Sequence, residues 1–121
     1  MGIAGGRHAR IMGGDPMSTL NLRHWNEAED GPLNEAAMRR KLEAMGYAVS
    51  RYVYPPGTHF PPHTHPVDKI DGVLSGRFEM RMHGECVVLE AGDLLHVPAG
   101  AVHEARVLGG EPVVSLDAVR R

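Results

Sequence analysis

Several features that define other classes of protein are scarce in this sequence of 121 residues. A single cysteine, Cys86, excludes an intramolecular disulfide and a structural zinc site built from several cysteines. No apolar run approaches the roughly 20 residues that a membrane-spanning helix needs, and the Gly-rich start lacks the apolar segment of a signal peptide. We therefore expect a cytoplasmic protein without a membrane partner, in which Cys86 is a buried strand residue rather than a reactive thiol.

An excess of one charge is missing as well. The chain has 13 Lys and Arg against 15 Asp and Glu, a formal net charge of −2. With no basic patch to contact a phosphate backbone, nucleic acid is not an expected partner. The hydrophobic and charged fractions, 42% and 23%, are typical of globular proteins. We predict one domain over residues 17–121, preceded by a flexible, dispensable Gly-rich leader over residues 1–16.

Two hydrophobic periods follow one another along the chain. Met38, Leu42 and Met45 recur at helical spacing, with Asn34 suited to the N-cap and Gly46 to the C-terminal end, which predicts one short amphipathic helix. Beyond Gly46 the period becomes two, as in the alternation of Phe78, Met80 and Met82 with Arg77, Glu79 and Arg81. Turn signals recur about every eight to ten residues. This spacing predicts an all-β sandwich or barrel, lined in part by Phe78, Met80 and Met82.

Histidine is abundant, with 8 residues in the chain. His63 and His65 are spaced to project from the same face of a strand, close enough to share a metal ion. A mononuclear site needs at least a third ligand, and His103 is the candidate because it begins a strand after the Pro98-Ala99-Gly100 turn. His59 and His96 could widen the same pocket, but we interpret them as ordinary surface or strand histidines.

These histidines fall in two spaced segments, residues 57–76 and 92–107, that resemble the two motifs of the cupin superfamily. The first motif is matched by Gly57, His63, His65 and Gly76. The second is matched by Gly92, Pro98, Gly100 and His103. The sequence departs from the motifs at two positions, where Lys69 replaces a glutamate and Val107 replaces an asparagine.

The resemblance implies a cupin double-stranded β-helix, or jelly-roll barrel, with one short N-terminal helix. It also implies that His63, His65 and His103 hold a divalent transition metal, with Fe, Mn, Zn and Ni all open, and that the protein forms a homodimer. Three-histidine sites without the carboxylate occur in the superfamily among iron-dependent oxygenases. A residual scaffold whose histidines bind no metal is the other interpretation.

Lys69 is the departure that bears most on chemistry, because an ammonium repels a nearby dication unless it is screened. Three roles are open from the sequence. Lys69 could turn away to pair with Asp68 or Asp71, it could hold the anionic group of a substrate over the metal, or burial could lower its pKa enough for it to act as a base. The last two roles would make Lys69 catalytic.

Two functions therefore remain open from the sequence. One is a metal-dependent enzyme, of dioxygenase or isomerase type, that acts on a small anionic organic molecule. The alternative is a module that binds a small ligand or a metal without turning it over. A small molecule is the expected partner in both cases.

Overall fold

The computed structural model describes residues 18–121, which form nine strands and two short helices. In chain order these are β1 (Leu22–His24), α1 (Glu27–Asp30), α2 (Glu35–Ala44), β2 (Tyr47–Tyr54), β3 (His59–His63), β4 (Lys69–Ser75), β5 (Arg77–Met82), β6 (Glu85–Leu89), β7 (Asp93–Val97), β8 (His103–Leu108) and β9 (Val113–Arg120). The predicted leader, residues 1–16, lies outside the described part, so its dispensability stays a prediction.

The strands form two antiparallel sheets. The five-stranded sheet has the order β1-β7-β4-β9-β2, and the four-stranded sheet has the order β3-β8-β5-β6. Sequence neighbours are often separated in space, since β4 pairs with β7 and β9 rather than with β3 or β5. This is the predicted jelly-roll arrangement, and the all-β fold is confirmed.

Two apolar clusters stabilise this arrangement. The first lies between the sheets, where Phe78, Met80 and Met82 are each at most 3% exposed, as their alternation with charged residues predicts. The second fills the space between α2 and the outer face of the five-stranded sheet, around Met38 and Leu42. Each fully buried side chain of this size contributes about 1.5–3 kcal/mol relative to an exposed one.

Helix α2 agrees with the prediction from the sequence. The Asn34 side chain accepts a hydrogen bond from the Ala37 amide at 2.8 Å, which satisfies one of the amides that a helix start leaves unpaired. Gly46 follows the helix with a φ of +96°, the left-handed conformation that glycine adopts without penalty. The one-turn helix α1 is an addition that the sequence pattern did not predict, because it contains no buried residue.

None of the helices within residues 18–121 is both long and apolar enough to cross a membrane.

Gly76 joins β4 to β5 in a space that has no room for a side chain. Its φ is +86°, and an added Cβ would lie 2.9 Å from Cα of Val113 and closer still to the carbonyl oxygen of Pro112. Gly109 is a matched control, because its φ of +77° is similar and an added Cβ would meet nothing within 4 Å. Alanine at Gly109 therefore reports the cost of the positive φ alone, whereas alanine at Gly76 reports that cost together with the steric clash.

We expect Gly76→Ala to lower the free energy of unfolding by about 3 kcal/mol, combining left-handed strain with overpacking. Gly109→Ala should cost only about 1 kcal/mol, the strain alone. Urea unfolding of the two variants and the parent protein measures both values. Equal losses in the two variants would mean that the backbone around Pro112 and Val113 relaxes to accept the methyl group.

Candidate metal centre

The three histidines reach one point from two neighbouring strands and a loop. His63 ends β3 and His103 begins β8, and the two residues are direct antiparallel partners in the ladder. His65 lies two residues beyond the end of β3, in the loop that leads to β4. The sequence predicted that His63 and His65 share a strand face. That local geometry is wrong, although both imidazoles still reach the same site.

Two prolines lie inside β3, just before the strand ends at His63. Pro61 and Pro62 have no amide hydrogen to give to the ladder, and the pairing register between β3 and β8 shifts between Phe60 and His63. The ladder between β3 and β8 is therefore irregular just before the HTH sequence. His65 lies beyond the strand, in the loop, and its ring is almost perpendicular to that of His63 at 89°.

The imidazoles lie close enough together to be candidate metal ligands. One nitrogen from each of His63, His65 and His103 lies within 4.8 Å of the other two, close enough for small side-chain rotations to bring all three onto one ion. Ring centroids are 4.2 Å apart for His63 and His103, 4.8 Å for His63 and His65, and 5.0 Å for His65 and His103.

Hydrogen bonds to the backbone orient two of the rings. Nδ1 of His63 donates to the Pro61 carbonyl at 2.7 Å, and Nδ1 of His103 donates to the Ala101 carbonyl at 3.0 Å. A proton on Nδ1 leaves Nε2 as a free lone pair, which is how metal-bound histidines are usually held. We assign this tautomer from the acceptor character of the carbonyl oxygens.

Nε2 of His65 is buried and has no hydrogen-bond partner among residues 18–121. An unpaired buried polar atom costs free energy, and a metal at this position would satisfy it. Together with the Nε2 atoms of His63 and His103, the donor set fits a divalent transition metal.

The protonation states also suit metal binding. Burial lowers the pKa of His65 from its usual 6.5, and the Lys69 ammonium lowers it further. Burial is likewise the main reason that the pKa of His103 is lowered, despite the opposing hydrogen bond to Ala101. Both imidazoles therefore remain neutral at physiological pH, the form that binds metals.

The histidines border a cavity of about 150 Å³ between the two sheets. An aromatic wall lies on one side, where the Tyr54 ring contacts those of Phe60 and Phe78 at centroid distances of 4.9 and 5.5 Å. Met80 and Ala105 add further apolar surface. The cavity is lined by Tyr54, Phe60, His63, His65, Lys69, Asp71, Phe78, Met80, His103, Ala105 and Asp117.

Lys69 points into this cavity and is held by two carboxylates. Its Nζ lies 2.9 Å from Oδ1 of Asp117 and 3.5 Å from Oδ1 of Asp71. Asp71 and Asp117 are direct cross-strand partners in β4 and β9. The 2.9 Å contact is an ion pair rather than a well-aligned hydrogen bond, since Oδ1 of Asp117 lacks a partner of hydrogen-bond geometry among the described residues.

The two carboxyl groups share the site unequally. Asp71 is fully buried, which raises its pKa well above the usual value, and the adjacent Asp117 raises it further. Burial also acts to raise the pKa of Asp117, but hydrogen bonding from Asp71 and the charge of Lys69 outweigh burial and lower it. A proton shared by this pair therefore favours Asp71 over Asp117, and the negative charge that faces the Lys69 ammonium lies mainly on Asp117.

This arrangement bears on two of the three roles that the sequence left open for Lys69. The pair with Asp71 is present, whereas Asp68 instead accepts a hydrogen bond from the Ala99 amide at 2.8 Å. A lowered pKa for Lys69 is wrong. Burial acts in that direction, but Asp71 and Asp117 outweigh it and raise the pKa. Lys69 is therefore an ammonium with a balanced charge, and a base role is not supported.

Asp117 and Tyr54 are site residues that the sequence analysis missed. The period of two along β2 and β9 places both side chains on the sheet face that borders the cavity. A polar residue in a strand is, however, ordinarily assigned to the solvent side. Only the pairing of Asp117 with Asp71 across two strands far apart in the sequence brings it to Lys69.

The remaining predicted positions lie away from the histidine cluster. His59 is exposed and lies 3.5 Å from Glu104, and His96 is 3.5 Å from Asp68 on the outer side of the barrel. Neither residue lines the cavity, as the interpretation of ordinary histidines predicts. Cys86 does lie in a strand, but it is only half-buried, because its side chain lies on the outer face of the four-stranded sheet opposite Arg81.

Curated proteins match part of this chain in sequence. A germin-like protein 9-3 from Oryza sativa subsp. japonica is 37% identical over 82 residues, which cover 63% of this chain and 37% of that protein. The chain spans 37% or less of the length of the curated relatives that it matches.

Two solved structures extend the comparison. The KdgF structure from Halomonas sp. is 27% identical, with a TM-score of 0.55, and the match covers 63% of this chain and 71% of that one. Oxalate decarboxylase from Bacillus subtilis, a protein with Mn(II) centres, is 26% identical with a TM-score of 0.54, over 62% of this chain and 22% of that one. The cupin domain family model matches residues 50–119, which contain both motifs and all three histidines. The chain therefore belongs to the cupin family.

Proposed function

We propose that this cupin is a metal-dependent enzyme that binds one divalent transition metal through His63, His65 and His103 and acts on a small organic anion. The observation that carries the proposal is the buried Nε2 of His65, which has no hydrogen-bond partner within residues 18–121, in a cluster where one nitrogen of each histidine lies within 4.8 Å of the others. Three protein ligands leave coordination positions for water and substrate. The metal would act as a Lewis acid toward a chelating oxygen.

The cavity supports the choice of a small anionic substrate. At about 150 Å³ it admits only a few non-hydrogen atoms beside a metal. The neutral imidazoles leave the full charge of a dication uncompensated by its ligands, which favours an anionic group. The relative with Mn(II) centres is named for oxalate, a small dianion, which agrees with this substrate class.

Within this proposal Lys69 orients the substrate. An ammonium has three N–H donors, and two of them face Asp71 and Asp117. The third is free for an oxygen of the bound anion. Phe60, Phe78 and Met80 line the cavity and would exclude water from the apolar side of the substrate.

Metal loading is the first test. Protein purified without a polyhistidine tag and stripped with chelator should take up one ion per chain from Fe(II), Mn(II), Zn(II) or Ni(II) solutions, measured by elemental analysis. Free metal at about 100 times its Kd should raise the free energy of unfolding by about 2.7 kcal/mol, because the ion binds only the folded site. No uptake and no thermal shift with any of the four ions would contradict the proposal.

Turnover is the second test, and it separates the enzyme from a binding module. The Co(II)-loaded protein should change its visible absorption when a small carboxylate such as oxalate enters the coordination sphere. The protein loaded with each native candidate metal should then convert one of a set of small carboxylates, followed by NMR of the products. Spectral changes without conversion of any compound would assign the barrel to ligand binding alone.

A further inference from the structure

A second cavity lies on the opposite face of the five-stranded sheet from the histidines. Its volume is about 270 Å³. Tyr47, Ile70 and Leu94 form an apolar floor, and Leu42 of α2 forms one wall. We call this cavity the outer groove. The sheet separates it from the candidate metal centre.

Two cations at the rim of the outer groove lack an acidic partner. Neither Arg23 nor Arg120 has a carboxylate at salt-bridge distance within residues 18–121, although both line the groove. Most other described arginines are paired, with Arg39 and Arg51 at Glu35, Arg77 at Glu90, and Arg81 and Arg106 at Glu79. The Arg120 guanidinium lies over the Tyr47 ring, 5.7 Å from its centroid, and so remains close to the floor.

The other charged groups at the rim are already satisfied. Lys41 donates to both carboxylate oxygens of Asp30 at 2.9 Å. Asp68 is the one acid that lines the groove, and its oxygens face the Ala99 amide at 2.8 Å and Nε2 of His96 at 3.5 Å. Neither guanidinium has a carboxylate at salt-bridge distance within residues 18–121, although Arg120 is near enough to Asp68 to help lower the pKa of that carboxyl group.

The two arginines lie on different sides of the groove. Arg23 belongs to β1 and Arg120 to β9, and β7 and β4 lie between them. Three steps between adjacent strands span about 14 Å, and Arg120 lies about 13 Å further along β9 than Leu116, the position level with Arg23. A ligand with one acidic group can therefore contact only one of the arginines. A ligand with an acidic group at each end and an apolar middle can contact both.

We propose that the outer groove binds a small organic dianion, of the class of aliphatic dicarboxylates. Each carboxylate pairs with one guanidinium, a match of planar groups that arginine makes well, and the methylene chain lies on Ile70 and Leu94. The segment 1–17 does not complement the groove, because it contains Arg7, Arg10 and His8 against a single acid, Asp15. This site is independent of the proposed metal chemistry.

The test compares three probes of equal chain length on metal-free protein. Calorimetric titration should show saturable binding of adipate, weaker binding of hexanoate, and no binding of 1,6-hexanediol. Arg23→Gln and Arg120→Gln should each weaken adipate binding about fivefold, the value of one partly exposed ion pair. Arg40→Gln is the matched control, because Arg40 is exposed and does not line the groove, and it should leave the affinity unchanged.

The position of adipate is checked by amide chemical shifts. Shifts at Arg23, Leu94 and Arg120 support the outer groove, whereas shifts at Met80 and Ala105 would place the anion in the barrel cavity and overturn the proposal. Absence of saturable adipate binding would overturn it as well. If Arg40→Gln weakened adipate binding as much as the two groove variants, the loss would come from the overall charge of the surface. That result would also contradict a specific site.

Discussion

His65→Ala is expected to abolish stoichiometric metal binding without destabilising the metal-free protein. Loss of an outer-shell partner of a metal ligand already weakens binding by about 10- to 100-fold, so loss of one of three ligands should cost at least about 100-fold. The folded apoprotein should lose nothing, because Nε2 of His65 is buried without a hydrogen-bond partner among the described residues and its removal relieves an unsatisfied group.

His59→Ala provides the control. His59 is exposed, lies 3.5 Å from the Glu104 carboxylate and does not line the cavity that the three histidines border. Competition titration with a chromophoric chelator gives the metal affinity of each variant, and chemical unfolding gives the stability of each apoprotein. A His65→Ala protein that still binds one ion with parental affinity would remove His65 from the site. A marked loss of apoprotein stability would show that His65 has a structural role instead.

Lys69→Met should be the most destabilising of the substitutions in the cavity. The Lys69 and Asp117 side chains are only 10% and 20% exposed, and removal of the ammonium leaves a nearly buried carboxylate without its counter-charge. Such a loss costs about 3 kcal/mol or more. The free energy of unfolding, measured by urea titration of the metal-free protein, should fall by this amount.

The double variant Lys69→Met with Asp117→Asn tests the cause of that loss. Replacement of both charged groups removes the unpaired charge, so most of the stability should return, because a buried pair contributes little beyond its neutral replacement. A double-mutant cycle gives the coupling energy directly. Additive losses in the two single variants would mean that the ion pair seen between Lys69 and Asp117 has no energetic role.

The same pair explains how the chain accommodates a lysine where the family motif has a glutamate. The motif loses a carboxylate at position 69, and the cavity holds two other carboxyl groups, Asp71 two residues along β4 and Asp117 on β9. Asp117 opposes the effect of the Lys69 ammonium on the pKa values of His65 and His103, although the ammonium has the larger effect on both. The repulsion expected from the sequence between Lys69 and a bound metal is therefore reduced.

The sequence by itself determined the fold class, because alternation with turns every eight to ten residues leaves few architectures, and the spacing of Gly57, His63, His65 and Gly76 with Gly92, Pro98, Gly100 and His103 identified the family. Helix α2, the barrel lining around Met80 and the three clustered histidines were all predictable, since each depends on local periodicity or on a spaced motif.

Tertiary structure alone decided the electrostatics of the cavity. The end of β3 before His65 was not visible in the sequence, and neither was the register shift beside Pro61 and Pro62. The acidic partners of Lys69 depend on the pairing of β4 with β9, which brings Asp71 next to Asp117, 46 residues later in the sequence. A period of two assigns a residue to one of two sheet faces but not to a partner strand. Because the pKa values of Lys69 and Asp71 depend on which charges meet across the strands, they follow from the fold rather than from the local sequence.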